Sequence, residues 1–423
     1  MILRQSERIR PEHAAVWLTL ACLGAFWLST FVPRADGSLL GSDGTHYFSY
    51  LPSVILDGDL DFTNDYEILL AGEPEKRDEY LNALTPTGRP ANVWSIGPAI
   101  LWSPFYIGAH AVMLVLSALN YPVSADGYGY PYQLAALTAS VLYGGLGLIL
   151  IQRAVGHVVE NRRSVAVALV LVTAGGNLIY YMTIEPHMSH AVSVLGVGML
   201  SALWLPNRTG SGPPHAAKLG VVAGVMALVR PQDGLFLALP YLDRLLQERG
   251  TMTPRRLAVL ARDGAISAVA AMIVFIPQLV VWQRLWGSVA SPYSHRGEEF
   301  YWLDPALFEV MLSMRRGLVV WHPVFLFALA GLGILYRRDR ALALSASAGF
   351  LLQWYLIASW WAWEQGKSFG GRMFIVCTPL FVIGLAALWD RVHQEGRTRQ
   401  ALWVGGTLVV ANLVFIPLYV LSW

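Results

Sequence analysis

Apolar residues in this chain fall in long runs set apart by short polar segments. A helix needs about 20 such residues to cross a bilayer core about 30 Å thick. Roughly eleven runs meet that need: residues 14–32, 131–152, 164–183, 188–205, 217–230, 234–247, 264–285, 317–336, 341–360, 373–390 and 401–423. The first follows Arg4, Arg8 and Arg10; it is too long for a signal peptide and lacks a small-residue cleavage site, so it is expected to stay as an anchor. The largest hydrophilic stretch, residues 33–91, comes next. A further apolar stretch, residues 92–119, is interrupted by Trp94, Pro98, Trp102, Pro104, Phe105, Tyr106 and His110. Rings of that kind favour the headgroup level, which predicts a half-buried, proline-broken helix lying on the outer leaflet.

The pattern predicts an all-α polytopic membrane protein with roughly 11 transmembrane helices and interfacial helices in a long first outer loop. It reads as a single domain over residues 1–423, with outer loops at 33–130, 286–316 and 361–372. Composition agrees. Charged residues make up 14% against roughly 25% in soluble domains, while 55% are hydrophobic. A net charge of +2 offers no basic field for nucleic acid. Cys22 and Cys377, far apart and in apolar runs, form neither a disulfide framework nor a zinc knuckle.

Charge sets the expected orientation. Basic residues cluster in segments 4–10, 153–163, 208–218, 244–262, 337–340 and 391–399, which together hold 19 of the 30 Lys and Arg. All six fall on one side if residues 92–119 do not span, and the positive-inside rule makes that side cytoplasmic. The N-terminus is then expected inside, with 19 of 28 acidic residues and only 11 basic ones outside. Cations on that outer side call for a functional reading.

The first outer loop holds the densest candidate chemistry. Asp43 heads a short predicted helix where it or Ser42 can serve as N-cap; burial at the membrane surface would instead tune its carboxyl toward base chemistry. The pattern of Asp43, Tyr47, Gly58 and Asp59 resembles the first outer loop of the glycosyltransferase-C superfamily, in particular the lipid A aminoarabinose transferases and protein O-mannosyltransferases grouped as family 39. The resemblance extends to the order of anchor helix, long first loop, interfacial helices and short-looped spans. The chain departs from it with Asp43-Gly44 where members often have Asp-Glu, and with Arg89-Pro90-Ala91 where they have Lys-Pro-Pro.

That resemblance implies transfer of a sugar from a polyprenyl-phosphate donor to an envelope acceptor, whether lipid, glycan or protein, at the outer face of a bacterial inner membrane, with Asp43 as base. The chain has no Gly-rich nucleotide loop, in keeping with a lipid-linked donor. Such a transfer needs one base for the acceptor hydroxyl and cations for the departing phosphate. Arg89, Arg315, Arg316, Lys367 and Arg372 are the candidate cations, and snorkelling to lipid headgroups is the structural alternative for each. Glycines at 366, 370 and 371 favour Lys367 and Arg372. Arg230-Pro-Gln-Asp233 reads as a self-paired structural bridge.

His46 and Tyr47 are expected to face the donor, His46 by hydrogen bonding its sugar or phosphate or else by satisfying loop backbone. Asp59 belongs to the same set. Glu185, His187 and His190 stand close enough for metal ligation, but their spacing matches no zinc signature. Binding of substrate hydroxyls is the reading adopted, with helix capping by Ser189 as the alternative, and no cofactor is expected. Tyr293, His295, Arg296, Glu298, Glu299, Tyr301, Trp302 and Asp304 suit either sugar stacking and hydroxyl binding or an interface-anchored connector. The competing functional classes are a transporter or flippase, disfavoured by the lack of repeated halves, and an oligosaccharide polymerase or ligase, expected to carry its large outer loop late in the chain.

Overall fold

A computed structural model describes residues 11–32, 37–208, 215–293 and 298–422; Arg4, Arg8, Arg10, His295 and Arg296 lie outside them. Among the described residues the chain is helical, with only two isolated bridges, Leu84 to Pro90 and Phe300 to Trp360. It is an all-helical polytopic membrane protein. Seven helices are long and apolar enough to cross a bilayer: α5 (Gly97–Ala118), α6 (Tyr130–Val155), α9 with its 3-10 extension (Ser189–Asn207), α12 (Pro254–Trp286), α16 (Arg340–Ser359), α17 with its 3-10 lead (Arg372–Gln394) and α18 (Thr398–Leu421). The expected anchor is α1 (Ala14–Ser29), α10 (Ala216–Val229) is also apolar but short, and α3 (Thr63–Leu69), α4 (Pro74–Asn82) and α13 (Leu307–Leu312) are short helices in the connections.

Local signals explain the helix ends. Asn161 caps α7 (Arg162–Ala174) by accepting from Arg163 N and Ser164 N, and Asp339 caps α16 by accepting from Leu342 N. Thr253 caps α12, where Pro254 takes the first turn and Gly287 ends the helix at φ +69°.

Four predicted spans are not single helices. The 164–183 run breaks at Gly175 between α7 and α8 (Leu178–Thr183), and the 317–336 run breaks at His322-Pro323 between α14 (Leu318–Trp321) and α15 (Val324–Arg338). A 3-10 helix, Pro231–Leu237, precedes α11 (Ala238–Gln247), and another, Arg372–Cys377, precedes α17 (Thr378–Gln394).

Small residues set the helix crossings. The α6 and α9 backbones meet at Gly147 and Gly198, where a Cβ added to Gly198 would lie 2.6 Å from the Gly147 carbonyl oxygen. Gly384 of α17 meets Ala328 and Gly331 of α15 still more closely. Without a hydrophobic drive between helices in lipid, such close backbone approach supplies the packing. Cys22 and Cys377 are buried and unbridged.

The bundle has two chemically distinct ends. Helix α9 starts beside Tyr47 and Arg230 and, 16 residues or about 24 Å later, ends where Trp204 donates to Asp243. At that second end Arg208 pairs with Asp243 at 2.7 Å and with Asp339, Arg338 pairs with Asp390 at 2.6 Å, and Asn161 donates to Asp390. The basic segments around 161, 208, 244, 338 and 391 therefore gather at one end, as charge counting expects.

The 92–119 stretch is expected to lie in the interface as a proline-broken helix, yet α5 is continuous and is one of the seven helices long and apolar enough to span. Pro104 does not break α5, because Ser103 Oγ donates to the Ile100 carbonyl at 2.8 Å and replaces the missing N–H. Its partners lie between Tyr132 and Tyr143 of α6, short of the basic end: Trp102 Nε1 donates to Ser140, Tyr143 Oη to Leu101 O, and His110 meets Tyr132. In contrast α1 reaches Gln152, near the other end of α6.

Two outcomes are expected. Gly384→Val should lower stability by about 1–3 kcal/mol, read as a lower melting temperature in detergent, whereas Gly333→Val, with open space at its Cβ, should leave it unchanged. Cysteines placed singly in the 153–163 connector should resist membrane-impermeant reagent added from outside, while one at Glu75 should react; outside labelling of the connector would reverse the charge-based orientation.

Candidate active site

A cavity of about 230 Å³ opens at the end of the bundle away from the basic segments. Distant parts of the chain line it: Asp43 and Tyr47 from α2 (Asp43–Pro52), Trp94 from the connection to α5, Arg230 and Gln232, Tyr293 and Glu298, Gln353, and Arg372.

Asp43 is the first residue of α2. Neither it nor Ser42 caps the helix; Ser42, at φ +46°, makes no cap bond to the backbone and instead donates its hydroxyl to Asp43 Oδ1 at 3.3 Å. The Asp43 carboxylate faces Arg372 Nη2 at 3.6 Å, the two side chains being only 21% and 12% exposed. Gly44 allows this placement. A Cβ there would come within 2.5 Å of the His187 ring, which fills the space against α2. One turn on, Tyr47 donates to Ser189 Oγ at 3.2 Å, and burial pushes its hydroxyl up to about 12, so it remains a protonated donor at neutral pH.

Arg372 is held by its backbone. Gly370 and Gly371 take φ of +25° and +60°, a turn suited to glycine, and Asn177 donates to both of their carbonyls at 2.9 and 2.8 Å. Phe369 N donates to Tyr181 Oη at 3.0 Å. Arg372 Nε is buried without a hydrogen-bond partner. Beside it Arg230 donates from Nη1 to Ser189 Oγ and lies 3.2 Å from His190 Nδ1; with the Gln232 amide oxygen turned toward it, that oxygen accepts from Nη2 at 2.7 Å. Its expected partner Asp233 is 3.8 Å away, so the local bridge exists, yet Arg230 also lines the cavity.

The sequence candidates divide accordingly. Asp43, Tyr47 and Arg372 line the cavity. His190 sits just behind Arg230, while His187 packs on Gly41 and Gly44 and Glu185 acts electrostatically on Arg372 and Tyr181. Among the described residues no three His, Cys, Asp or Glu side chains are grouped to hold a metal ion. Ser189 does not cap α9; its hydroxyl serves Tyr47 and Arg230.

The remaining candidates lie elsewhere. His46 is 1% exposed, with Nδ1 at 2.8 Å from Tyr66 Oη and its ring stacked on Trp94, so it supports the cavity wall from behind. Asp59 is exposed and accepts from Asp61 N, bracing the turn at Gly58. Arg89 donates to Arg284 O, Arg316 Nε to Ser368 O, and Arg315 and Lys367 are exposed. Sequence reasoning passed over Arg230 as a cavity residue. Its place among the 11 basic residues outside the six basic segments was the available signal.

Asn177→Ala should leave two buried carbonyls unsatisfied and cost about 1–3 kcal/mol. Melting in detergent checks this.

No protein-family model matches the sequence, and no curated protein matches it. The fold has a structural counterpart: the archaeal oligosaccharyltransferase AglB from Archaeoglobus fulgidus, solved in complex with an inhibitory peptide and a dolichol-phosphate, is similar with a TM-score of 0.59 at 12% sequence identity. The similarity covers 96% of this chain and 54% of that one, so the chain spans about half the length of that neighbour. The chain thus shares the overall membrane-embedded helical fold of that neighbour.

Proposed function

We propose that the protein is an integral membrane glycosyltransferase that moves a sugar from a polyprenyl-phosphate donor to an envelope acceptor, at the outer face of a bacterial inner membrane. The observation that carries this reading is the meeting of Asp43 and Arg372 in one cavity, with Arg230 beside them. A fold shared with a protein solved with dolichol-phosphate supports it.

The chemistry follows from the charges. Asp43 takes the proton of the acceptor hydroxyl, and the oxygen attacks the anomeric carbon of the donor. The bond from that carbon to the phosphate oxygen breaks, and its electron pair leaves with the polyprenyl phosphate. Negative charge grows on that phosphate as it departs. Arg372, with Nε unpartnered, and Arg230 stand where they can bind it. A phosphate entering the cavity competes with Asp43 for Arg372 and frees the carboxylate to act as base. The phosphate leaves as an anion, so a protonated acid is unnecessary.

Asp43→Asn should reduce turnover by roughly 10²- to 10⁴-fold without loss of fold, measured as release of lipid phosphate from labelled polyprenyl-phosphate sugars. Arg372→Ala should weaken polyprenyl-phosphate binding by about one to two orders of magnitude, whereas Arg315→Ala and Lys367→Ala should not. Undiminished turnover by the Asp43 variant would remove the base assignment.

A further inference from the structure

The connector that follows Glu299 runs down the flank of α16 instead of rising into water. With 20 residues α16 is about 30 Å long, the thickness of a bilayer core, which puts Ser359 near the edge of that core at the cavity end. Tyr301 N donates to Ser359 O and Ala306 N to Ala358 O. Deeper along the helix, Tyr355 Oη donates to Trp302 O and Trp354 Nε1 to Leu307 O. Trp354 stands five residues, or about 7 Å, inside Ser359, and its side chain leans back toward the helix start. The Leu307 carbonyl that it binds therefore lies at about that depth.

Two observations say what surrounds the connector. Its carbonyls are capped by aromatic donors: Trp302 O by Tyr355, Leu307 O by Trp354, and Met314 O by Trp321 Nε1 at 3.0 Å. In water such acceptors need no partner from the protein, whereas away from water each must have one. The second observation is the apolar surface. Leu303 is fully exposed, and Phe308 and Met314 are 69% and 82% exposed. On α13, Val310 is buried against the bundle, Phe308 and Leu312 share a flank one turn apart, and Glu309 lies further round from both. Arg315 follows, exposed, where a cation can meet lipid phosphate.

We infer that residues 301–314 form a wedge set into the bilayer leaflet at the cavity end, with Leu303, Phe308, Leu312 and Met314 among the lipid chains and Glu309 and Arg315 at headgroup level. A depth of about 7 Å is that of a helix lying in the headgroup and acyl boundary. Phe300, which lines the cavity, stacks on Trp302 at 4.8 Å, so the wedge and the cavity share a wall. The inference needs the membrane fold alone and not the transfer chemistry.

The test reads depth directly. Nitroxide labels are attached in nanodiscs to the full chain carrying Leu303→Cys or Phe308→Cys. Glu75→Cys on the polar α4 gives the water reference, and Val410→Cys on an exposed face of α18 gives the lipid reference. The parent, whose Cys22 and Cys377 are buried, sets the background. Power saturation compares collisions with oxygen, which concentrates in lipid, and with a nickel chelate confined to water. At 303 and 308 the oxygen-to-nickel ratio should exceed that at 75 several-fold and approach that at 410. A ratio no higher than at 75 would place the connector in water and overturn the wedge. Shielding of both labels from both reagents would overturn it in favour of a contact with a second copy of the chain. No sugar or lipid donor enters the measurement, so either result leaves the transfer reading standing.

Discussion

Broken helices inside an apolar bundle leave backbone carbonyls and N–H groups that water cannot reach, and each must find a partner within the protein. The cavity depends on how this is met. At the end of α7, Asn412 of α18 donates to Ala174 O and Gly176 O, and its own Oδ1 faces His322 where α14 and α15 part. Asn177 holds the Gly370-Gly371 turn, while Gln353 and Gln365 bond the two sides of Met373. Gln278 of α12 accepts from Ile96 N at the head of α5. Asn412, Gln353 and Gln278 stand in otherwise apolar helices, Asn177 and Gln365 in the breaks themselves, and together they hold the irregular backbone at the cavity end. The basic end closes instead with ion pairs.

The same amides explain how side chains from remote segments reach one place. Arg372 enters the cavity because its turn is fixed from α7–α8, and Asp43 enters because Gly44 lets α2 settle on His187. The segment between α1 and α6 adds an aromatic core, with α5 contributing to it. Phe48, Tyr50, Phe62, Tyr66, Trp102 and Tyr106 are all at most 1% exposed, and their burial gives a long polar loop the rigidity of a small domain. A cavity wall made of Trp94 on His46 is one product of that core.

Charge is distributed for two different purposes. At the basic end Arg208 lies between Asp243 and Asp339 with little exposure, and losing Arg208 would leave the buried Asp243 uncompensated. At the cavity end the ion pairs are longer, Arg230 to Asp233 at 3.8 Å and Arg372 to Asp43 at 3.6 Å, with Glu185 also acting on Arg372. Loose pairing leaves these guanidinium groups able to engage an anion.

The sequence by itself determined the all-helical membrane class, the positions of the apolar runs and the grouping of basic segments, because lipid demands long apolar stretches and charge placement follows the chain linearly. It also singled out Asp43, Tyr47 and Arg372, whose outlying chemistry at the acidic side is visible without coordinates. Tertiary structure alone decided which of the other candidates meet. Arg89, Arg315 and Lys367 look like Arg372 in a sequence, yet only the Asn177-held turn carries a cation to Asp43. His46 stands next to Tyr47 in the chain, but on a helix adjacent residues point about 100° apart, so Tyr47 faces the cavity and His46 the aromatic core. Arg230 looked self-paired because its partner is three residues away, and only packing against α9 revealed its second face. Pro104 foretold a break that one preceding serine hydroxyl prevents. In each case the deciding contact comes from the three-dimensional environment of a side chain, which residue order does not encode directly.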